Sequence, residues 1–339
     1  MTAGTRVVFL THGGPAIGLG HVARCLSLAR ALAADGARVV FLVGQEARVT
    51  AAIEAGGFDA VETDWESAGA AACDLVAALR PEALVVDSYA VSGALLDLLR
   101  PLVGQLVAID DLADRPLPVH TVVNGGIDAE HLEYRGGLPE TAYLLGPRYA
   151  LVDPAYAAAP ERRTRAAVER VLVTVGGGSH PAALRAVVQA GLSLGTAAID
   201  VAVGPFADEG ATEAVEGPRV VLHRGVWKLR SLMLAADVAS SGAGMTLYEL
   251  AATATPIVCL TMAPNQRPNA AAFERAGAAL AAGPAGHPDL SATVARHLGC
   301  LAADAALRER LGAAGRRLVD GQGASRVARE LASMPSPRR

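Results

Sequence analysis

A histidine stands directly after a glycine-rich loop near the start of the chain. The loop THGGPAIGLG precedes His21, and its glycines allow the backbone to approach a ligand closely and to adopt positive φ angles. A neutral imidazole accepts a proton near pH 7, so His21 is a candidate general base. The alternative, that His21 only caps a helix, is less favoured by the glycine context. We predict that His21 is catalytic and that Gly14, Gly18 and Gly20 contact substrate.

His12 lies in the same loop and adds a second imidazole. It is either a hydrogen-bond donor to an acceptor molecule or to a phosphate, or only a turn residue.

A second glycine turn, SSGAG, opens onto a predicted helix at Ser240–Gly244. The first amides of a helix lack partners and the helix dipole is positive there, so this segment suits a phosphate or diphosphate. The residues that we predict to bind substrate here are Ser241, Gly242, Gly244, Met245 and Thr246.

Three polar side chains follow that turn. Glu249 is either a ligand for a ribose diol or an exposed helix charge. Asn265 and Gln266 carry amides that can hydrogen-bond sugar hydroxyls, although Asn265 could also be a helix cap. We predict that all three contribute to substrate binding.

Carboxylates end two predicted strands of the first half. Asp87 and Tyr89 follow one strand, and Asp110 and Asp111 follow the next. We predict that Tyr89 and Asp110 are catalytic and that Asp87 contacts substrate, with one aspartate of the adjacent pair orienting His21 or a sugar hydroxyl. The pair lacks the Asp-x-Asp spacing of many metal-binding sugar transferases, so we predict no metal site.

Other phosphate motifs are incomplete. GLGH lacks the lysine of a Walker loop, and the first loop is not a GxGxxG, so a nicotinamide enzyme is disfavoured. The segment GGGS at Gly176–Ser179 is predicted to lie near the phosphates or to act as a hinge, with Gly177 as a substrate contact. His180 is predicted to be a bystander.

The elements that position these residues alternate between strands and helices. Arg6–Leu10 reads as a buried strand and His21–Ala34 as a helix. Further strands are predicted near residues 38–43, 60–63, 83–86, 105–109, 121–124 and 143–145, with helices near 47–55, 67–79 and 92–99. Parallel neighbours need a crossover, so the first half is predicted to be a doubly wound domain.

The pattern of strand, glycine cluster and helix returns at Arg170. Strands are predicted near residues 199–203, 220–222, 238–240 and 256–260, and helices near 227–235 and 245–252, from 289 onward, and over 324–332. We predict an N-terminal Rossmann-like domain over 1–150, a linker over 151–169, a second such domain over 170–321, and a terminal helix and tail over 322–339.

Composition excludes several classes of protein. The net charge of −4 gives no electrostatic basis for binding nucleic acid. No apolar run approaches the roughly 18 residues of a membrane-spanning helix, and no signal peptide is recognisable. The four cysteines lack metal-type spacing, and we expect reduced, buried thiols in a cytoplasmic protein.

Several motifs together resemble a known family of enzymes. They are IGLGHVARCLSLARAL, VVDSY, AIDD, LLGPRYALV, VGGG, SSGAGMTLYELA and the later NQ. In this order they resemble the UDP-sugar hydrolases of the pseudaminic-acid pathway and the related glycosyltransferases of spore-coat polysaccharide synthesis. More remotely, they are similar to the N-acetylglucosaminyltransferase that makes lipid II.

The resemblance implies a GT-B architecture, with two Rossmann-like doubly wound parallel-sheet domains facing a cleft that holds a UDP-sugar. It implies that His21 is the catalytic histidine and that Tyr89 is the family's tyrosine. It also assigns Gly242, Gly244, Thr246 and Glu249 to the nucleotide and Asn265 to the sugar. Leu10-Thr11-His12-Gly13-Gly14 replaces the Arg-x-Asp-Ala-Ser run of the hydrolases.

That departure favours a transferase over a hydrolase. We therefore expect a metal-independent glycosyltransferase with a UDP-sugar donor, no cofactor, and a small polar acceptor such as a sugar, a nucleobase or a secondary metabolite. The alternatives are a UDP-sugar hydrolase, an epimerase and a non-catalytic sugar-nucleotide binding protein. The expected partners are small molecules only, and oligomerisation is not required.

Overall fold

The computed structural model describes residues 4–66, 69–177, 180–195, 197–207, 210, 212, 215–226 and 228–334. The chain divides into two compact units. One consists of Met1–Pro154 and Gln322–Arg339, and the other is Ala155–Gly321. Each unit is built on a parallel sheet with helices between its strands.

The first unit alternates strands and helices along most of its length. Its elements are β1 Arg6–Thr11, α1 Gly20–Ala34, β2 Arg38–Val43, α2 Ala47–Ala55, β3 Asp59–Glu62, α3 Gly69–Leu79, β4 Ala83–Asp87, α4 Gly93–Leu99, β5 Gln105–Ile109, β6 Thr121–Asn124 and β7 Ala142–Leu145.

These strands, as far as the structure describes them, form a seven-stranded sheet in the order β3-β2-β1-β4-β5-β6-β7, and every pairing is parallel. Chain order reverses direction at β1, where β2 lies on one side and β4 on the other. In doubly wound sheets such a reversal opens a crevice at the carboxyl ends of the two strands, which is where ligands bind.

The second unit repeats this plan over a shorter sheet. Its elements are β8 Arg170–Thr174, α5 Pro181–Leu192, β9 Ala198–Val203, β10 Val220–Arg224, α6 Arg230–Ala235, β11 Val238–Gly242, α7 Met245–Ala252, β12 Ile257–Thr261, α8 Arg267–Arg275, β13 Leu280–Pro284, α9 Leu290–Ala303 and α10 Ala305–Leu318.

Its described strands form a six-stranded parallel sheet in the order β10-β9-β8-β11-β12-β13. The reversal here lies between β8 and β11. Two doubly wound parallel-sheet domains are therefore present, as the strand and helix alternation predicts.

The hydrophobic pattern explains why the central strands form. All five residues of β4, of β5 and of β12 are buried, as a strand covered on both faces requires. Ser92 caps α4 by accepting a hydrogen bond from the Leu95 amide at 3.2 Å, as its residue type predicts.

Three sequence expectations need correction. β13 has no counterpart among the predicted strands. The helical region predicted from Asp289 is broken at Asp304, because that side chain caps a new helix by accepting from the Leu307 amide at 2.8 Å. Cys300 is exposed rather than buried, whereas Cys25 and Cys259 are buried. The predicted helix starts at Ser67 and Trp227, the pair Gly178 and Ser179, and the tail beyond 334 lie outside the described residues.

The last helix of the described chain, α11 Gly323–Ser333, belongs to the first unit and packs against α1. Gly323 lies so close to the backbone of Ala150 that a Cβ atom there would overlap it. The return of the chain to the first unit therefore requires glycine at this position.

Candidate active site

The carboxyl ends of β1 and β4 hold most of the residues predicted to act in the first unit. The two strands are neighbours, with Thr11 opposite Asp87 in their register. His12 therefore follows β1 beside Ser88 and Tyr89, which follow β4. The topology thus places these side chains at the reversal point of the first sheet.

The amino-terminal turn of α1 supplies two further side chains. His21 and Arg24 are three residues apart, so they share a helix face, and both are buried. The rest of the buried face is apolar or small, which makes a charged guanidinium in this stripe exceptional. Both side chains need polar partners inside the unit.

Asp87 is that partner. His21 Nδ1 lies 2.6 Å from Asp87 Oδ1, and Arg24 contacts both carboxylate oxygens, with Nε 2.6 Å from Oδ2 and Nη2 2.7 Å from Oδ1. The Asp87 side chain has no exposed surface. Its contacts therefore hold His21 and Arg24 in place.

The charge state of Asp87 follows from these contacts. Burial alone would raise its pKa, but the charges and hydrogen bonds of Arg24 and His21 hold that pKa well below its usual range. An ionised carboxylate only accepts hydrogen bonds, so we assign His21 Nδ1 as the donor to Asp87 Oδ1 at 2.6 Å, with Arg24 Nη2 also 3.1 Å from Nδ1. In the neutral form of this tautomer the lone pair lies on Nε2, which is the nitrogen that can take a proton.

Asp111 extends the network. Arg24 Nη1 donates to both of its carboxylate oxygens, at 2.7 and 2.8 Å, and Tyr89 Oη donates to Oδ2 at 2.8 Å. Burial would lower the pKa of Arg24, but Asp111 and Asp87 raise it. The guanidinium therefore stays charged and joins two aspartates from neighbouring strands.

Tyr89 packs its ring edge-on against His21, with 4.6 Å between ring centroids. Burial and the charge of Asp111 raise the pKa of its phenol, so the group stays protonated as a donor. The Tyr89 side chain thus restrains the imidazole while remaining 36% exposed at the surface of the unit.

Asp110 lies apart from this network. Its Oδ2 accepts hydrogen bonds from the amides of Leu112 at 2.9 Å and Ala113 at 2.7 Å, and Ala113 has a φ of +51°. Burial raises the pKa of Asp110. Its Oδ1 also lies 3.2 Å from Arg115 Nη1, which forms an ion pair with it. Of the adjacent pair it is Asp111 that connects to His21 through Arg24.

The glycine loop before His21 closes on itself. Gly14 and Gly18 exchange backbone hydrogen bonds of 3.1 and 2.6 Å, and the Ile17 amide donates to Gly14 at 3.2 Å. Gly18 has a φ of +78°, which favours glycine. The loop amides at 14, 17 and 18 are therefore already used, and Gly20 begins α1.

In the second unit the ends of β8 and β11 are again neighbours, with Thr174 opposite Ser241. Gly177 follows β8, while Ser241 and Gly242 belong to β11 itself, so the strand runs two residues further than its predicted end. A Cβ atom at Gly242 would lie 3.0 Å from Met262 Cγ. Glycine at position 242 therefore permits the close approach of the end of β11 to Met262.

The start of α7 offers unpaired backbone donors. No side chain caps the helix, and within the described residues the amides of Gly244, Met245 and Thr246 have no hydrogen-bond acceptor. These three donors lie at the N-cap and in the first turn of α7, where the helix dipole is positive. The arrangement suits an anion, and the binding of one there stays a prediction.

The other predicted residues of this unit stand near that helix. Gln266 Oε1 accepts from the Met262 amide at 2.9 Å, and its Nε2 would lie 3.4 Å from a Cβ atom at Gly244. Asn265 is exposed in a short 3-10 turn, and Glu249 is half-buried on α7. Gln266 therefore links the turn before α7 to the end of β12.

Two further properties bear on ligands. No group of three or more His, Cys, Asp or Glu side chains in the described ranges is placed to hold a metal ion. Within the same part of the chain, no helix has the length and hydropathy needed to cross a bilayer.

Sequence comparison with known proteins gives a distant relative. No family model matches the chain. An uncharacterized protein of Methanocaldococcus jannaschii is 23% identical over 281 residues, which are 77% of this chain and 57% of that protein. The chain thus spans a little over half the length of this curated relative.

Solved structures show the fold. The chain is similar to the glycotransferase of kitacinnamycin, with a TM-score of 0.65 at 20% identity over 99% of this chain and 100% of that one. It is similar to LpCGTa in complex with UDP, with a TM-score of 0.66 at 16% identity over 98% and 99% of the two chains. It is also similar to the spinosyn rhamnosyltransferase SpnG complexed with thymidine diphosphate, with a TM-score of 0.62 at 17% identity over 97% of this chain and 100% of that one.

The chain therefore has the fold of the GT-B glycosyltransferases. The particular resemblance to pseudaminic-acid-pathway hydrolases and spore-coat transferases stays a prediction.

Sequence reasoning did not include Arg24 among the site residues. The signal was present, since a buried arginine one helical turn after a candidate base needs a carboxylate partner. For Asp87 the sequence predicts a contact with substrate, and the structure shows hydrogen bonds from His21 and Arg24 to its carboxylate.

Proposed function

We propose that the chain transfers a sugar from a UDP-sugar to a hydroxyl group of a small polar acceptor, without a metal ion. The observation that carries this proposal is the 2.6 Å contact between His21 Nδ1 and Asp87 at the reversal point of the first sheet, where the lowered pKa of Asp87 keeps the carboxylate ionised at neutral pH. That contact leaves Nε2 as a base of defined orientation.

In the proposed reaction His21 Nε2 takes the proton of the acceptor hydroxyl. The hydroxyl oxygen forms a bond to the anomeric carbon while the bond from that carbon to the diphosphate oxygen breaks. The electron pair leaves with the nucleoside diphosphate, and Asp87 stabilises the imidazolium that forms. The products are a glycoside and a free nucleoside diphosphate.

The amides of Gly244, Met245 and Thr246 are proposed to bind the diphosphate. Negative charge grows on the leaving group as the anomeric bond breaks, so donors held at a helix start stabilise the transition state more than the ground state. Glu249 is proposed to bind the ribose, and Asn265 and Gln266 the sugar hydroxyls.

Nucleotide choice can be measured directly. The solved neighbours include one with UDP and one with thymidine diphosphate. A ligand that binds the folded chain stabilises it, by about 2.7 kcal/mol at 100 times its Kd, so at equal concentration the tighter ligand raises the melting temperature more. We expect UDP to give a larger rise than thymidine diphosphate. A larger shift with thymidine diphosphate would overturn the choice of uridine.

The reaction is tested by incubating the protein with a panel of UDP-sugars, with and without candidate acceptors, and measuring UDP release. We expect release to depend on an acceptor. Replacing His21 with Ala should lower the turnover rate by about 10²–10⁴-fold, the usual contribution of a general base. His131→Ala, which alters an exposed histidine, is the matched control and should retain wild-type turnover.

Two outcomes contradict the proposal in different ways. Rapid UDP release that needs no acceptor would show a UDP-sugar hydrolase with water as the nucleophile. Undiminished turnover in His21→Ala would remove the base role of the imidazole.

A further inference from the structure

His12 is a buried histidine that the proposed reaction does not use. It is 3% exposed, directly follows β1, and packs its ring against His21 with 4.7 Å between centroids. Its Nε2 is buried and has no hydrogen-bond partner among the residues that the structure describes. A buried polar atom without a partner is rare in proteins, and such an atom beside a candidate base points to a ligand.

The tautomer of His12 is assigned from its contact with Ser88. The Ser88 hydroxyl oxygen accepts the Ala90 amide at 2.9 Å, and its hydrogen can be donated to His12 Nδ1 at 3.2 Å. With Nδ1 as the acceptor, the neutral ring carries its hydrogen on Nε2. We assign this tautomer, in which the unpartnered atom is an N–H donor.

Trp65 adds a second donor of the same kind. Its indole is 1% exposed, its ring centroid lies 6.2 Å from that of His12, and its Nε1 is buried without a partner in the described part of the chain. An indole N–H can only donate. Two N–H donors on neighbouring rings suit an oxygen acceptor and not a cation.

We propose that His12 and Trp65 form a subsite for an oxygen atom of the acceptor, adjacent to the hydroxyl that His21 deprotonates. The inference rests on the proposed function. Because the His12 and His21 rings are in contact, the two oxygen atoms must be close together on the acceptor. The acceptor class is therefore a molecule with neighbouring oxygens, such as a vicinal diol.

The electrostatics of His12 agree with this role. Burial first, and then the charges of His21 and Arg24, lower its pKa to about 4, against the opposing effect of Asp87. The ring therefore stays neutral at physiological pH and offers a hydrogen bond without a charge. A neutral donor next to the base also avoids repelling the imidazolium of His21.

The test uses catechol and phenol, which differ by one neighbouring hydroxyl. The full chain is labelled with ¹⁵N at its two tryptophans, and the indole signals are assigned with Trp227→Phe. We expect catechol to shift the Trp65 indole N–H signal and to bind about tenfold more tightly than phenol, which lacks the second oxygen. Equal affinity for the two probes, or no binding of either, would overturn the proposal.

Variants separate this role from a structural one. His12→Asn keeps a polar group near Ser88 but has no atom at the position of Nε2, and Trp65→Phe removes the indole N–H. By calorimetry, each should lower the affinity for catechol to that for phenol while leaving phenol binding unchanged. An equal loss of affinity for catechol and for phenol would show that the two residues only maintain the fold.

The two proposals fail separately. A chain without transferase activity fails the UDP-release assay but can still bind catechol in preference to phenol. A chain without the subsite shows no such preference but can still release UDP in the presence of an acceptor.

Discussion

Arg24 is the residue on which the charge arrangement of the first unit depends. It neutralises Asp87, which has no exposed surface, and it also binds Asp111. A buried ion pair contributes little net stability by itself, because the Coulomb energy offsets the loss of hydration. Removing one partner is different, since it leaves a buried charge unpaired.

We therefore expect Arg24→Met to lower the free energy of unfolding by about 3–5 kcal/mol, the usual cost of leaving a buried charge without its partner. Urea denaturation followed by circular dichroism measures this change. Arg38→Met, at an exposed position, is the control and should change stability by less than about 0.5 kcal/mol. Equal effects of the two variants would show that Asp87 is satisfied without Arg24.

His12 gives the protein a pH-dependent stability. Its pKa in the folded chain is about 4, below the ordinary value of 6.5, because of burial and the nearby charges of His21 and Arg24. Between these pH values the unfolded chain binds a proton at His12 that the folded chain does not bind. The contribution of His12 to stability is therefore complete above pH 6.5 and declines as the pH falls to 4.

The measurement compares wild type with His12→Asn in urea at pH 7, 5.5 and 4. We expect the stability difference between them to shift in favour of the variant as the pH falls. His131→Asn should follow the wild-type curve, because that side chain is exposed. A difference that stays constant with pH would contradict the assignment of a neutral, buried His12.

Residue identity predicted part of this site and missed the rest for a physical reason. His21 was recognisable because it begins a helix after a glycine loop, Asp87 because it ends a strand, and Tyr89 through the resemblance to a known family. The hydrogen bonds of these residues could not be predicted, because the contact of α1 with the end of β4 depends on which strands are neighbours in the sheet. The separate roles of Asp110 and Asp111 depend likewise on a turn at Ala113 that residue types do not specify.

At the level of elements, the start of α7 is the feature with the clearest chemical consequence. Met245 is its first residue, and proline is tolerated at that position because the amide there has no partner within the helix. Proline thus removes one proposed phosphate donor and leaves the helix intact.

We expect Met245→Pro to weaken UDP binding by about tenfold, the cost of one hydrogen bond to a charged group. Met245→Ala removes the same side chain but keeps the amide, and it should bind UDP as the wild type does. Isothermal titration calorimetry compares the three proteins. Equal UDP affinity of the proline and alanine variants would rule out this amide as a ligand.

Runs of apolar residues made most strands predictable from the sequence, including β4, β5 and β6. β13 was missed because its sequence, LAAGP, is rich in alanine and glycine and ends in proline, residues with low strand propensity. It forms because β12 offers it a parallel partner, with Val258 opposite Leu280. Pairing between distant segments is not visible in a local pattern.

At the scale of the whole molecule, the buried Arg308 and the half-buried Arg162 and Arg316 hold the segment after Pro154 against the rest of the second unit. Arg162 donates to the carbonyls of Met233, Ala236 and Thr253 and to the Thr255 hydroxyl, at 2.6 to 3.2 Å. Burial lowers its pKa to about 10, so it remains charged at neutral pH. Arg308 and Arg316 bind other carbonyls of the same segment.

We expect Arg162→Met to destabilise the second unit by about 2–4 kcal/mol, because its loss leaves several acceptors unsatisfied in a buried place. Hydrogen exchange should show faster exchange in β8 and β11 and unchanged rates in β1 and β4. Arg163→Met, one residue later and exposed, should leave both sets of rates unchanged. A uniform change in both units would contradict a local role for Arg162.

The return of α11 to the first unit affects how the protein is made in the cell. The partner of α1 is synthesised only after all of Ala155–Gly321 has been translated. During translation the second unit is complete first, while the helix that carries His21 still lacks one of its packing surfaces. We therefore expect the order of domain folding on the ribosome to be the reverse of the order of the domains in the gene.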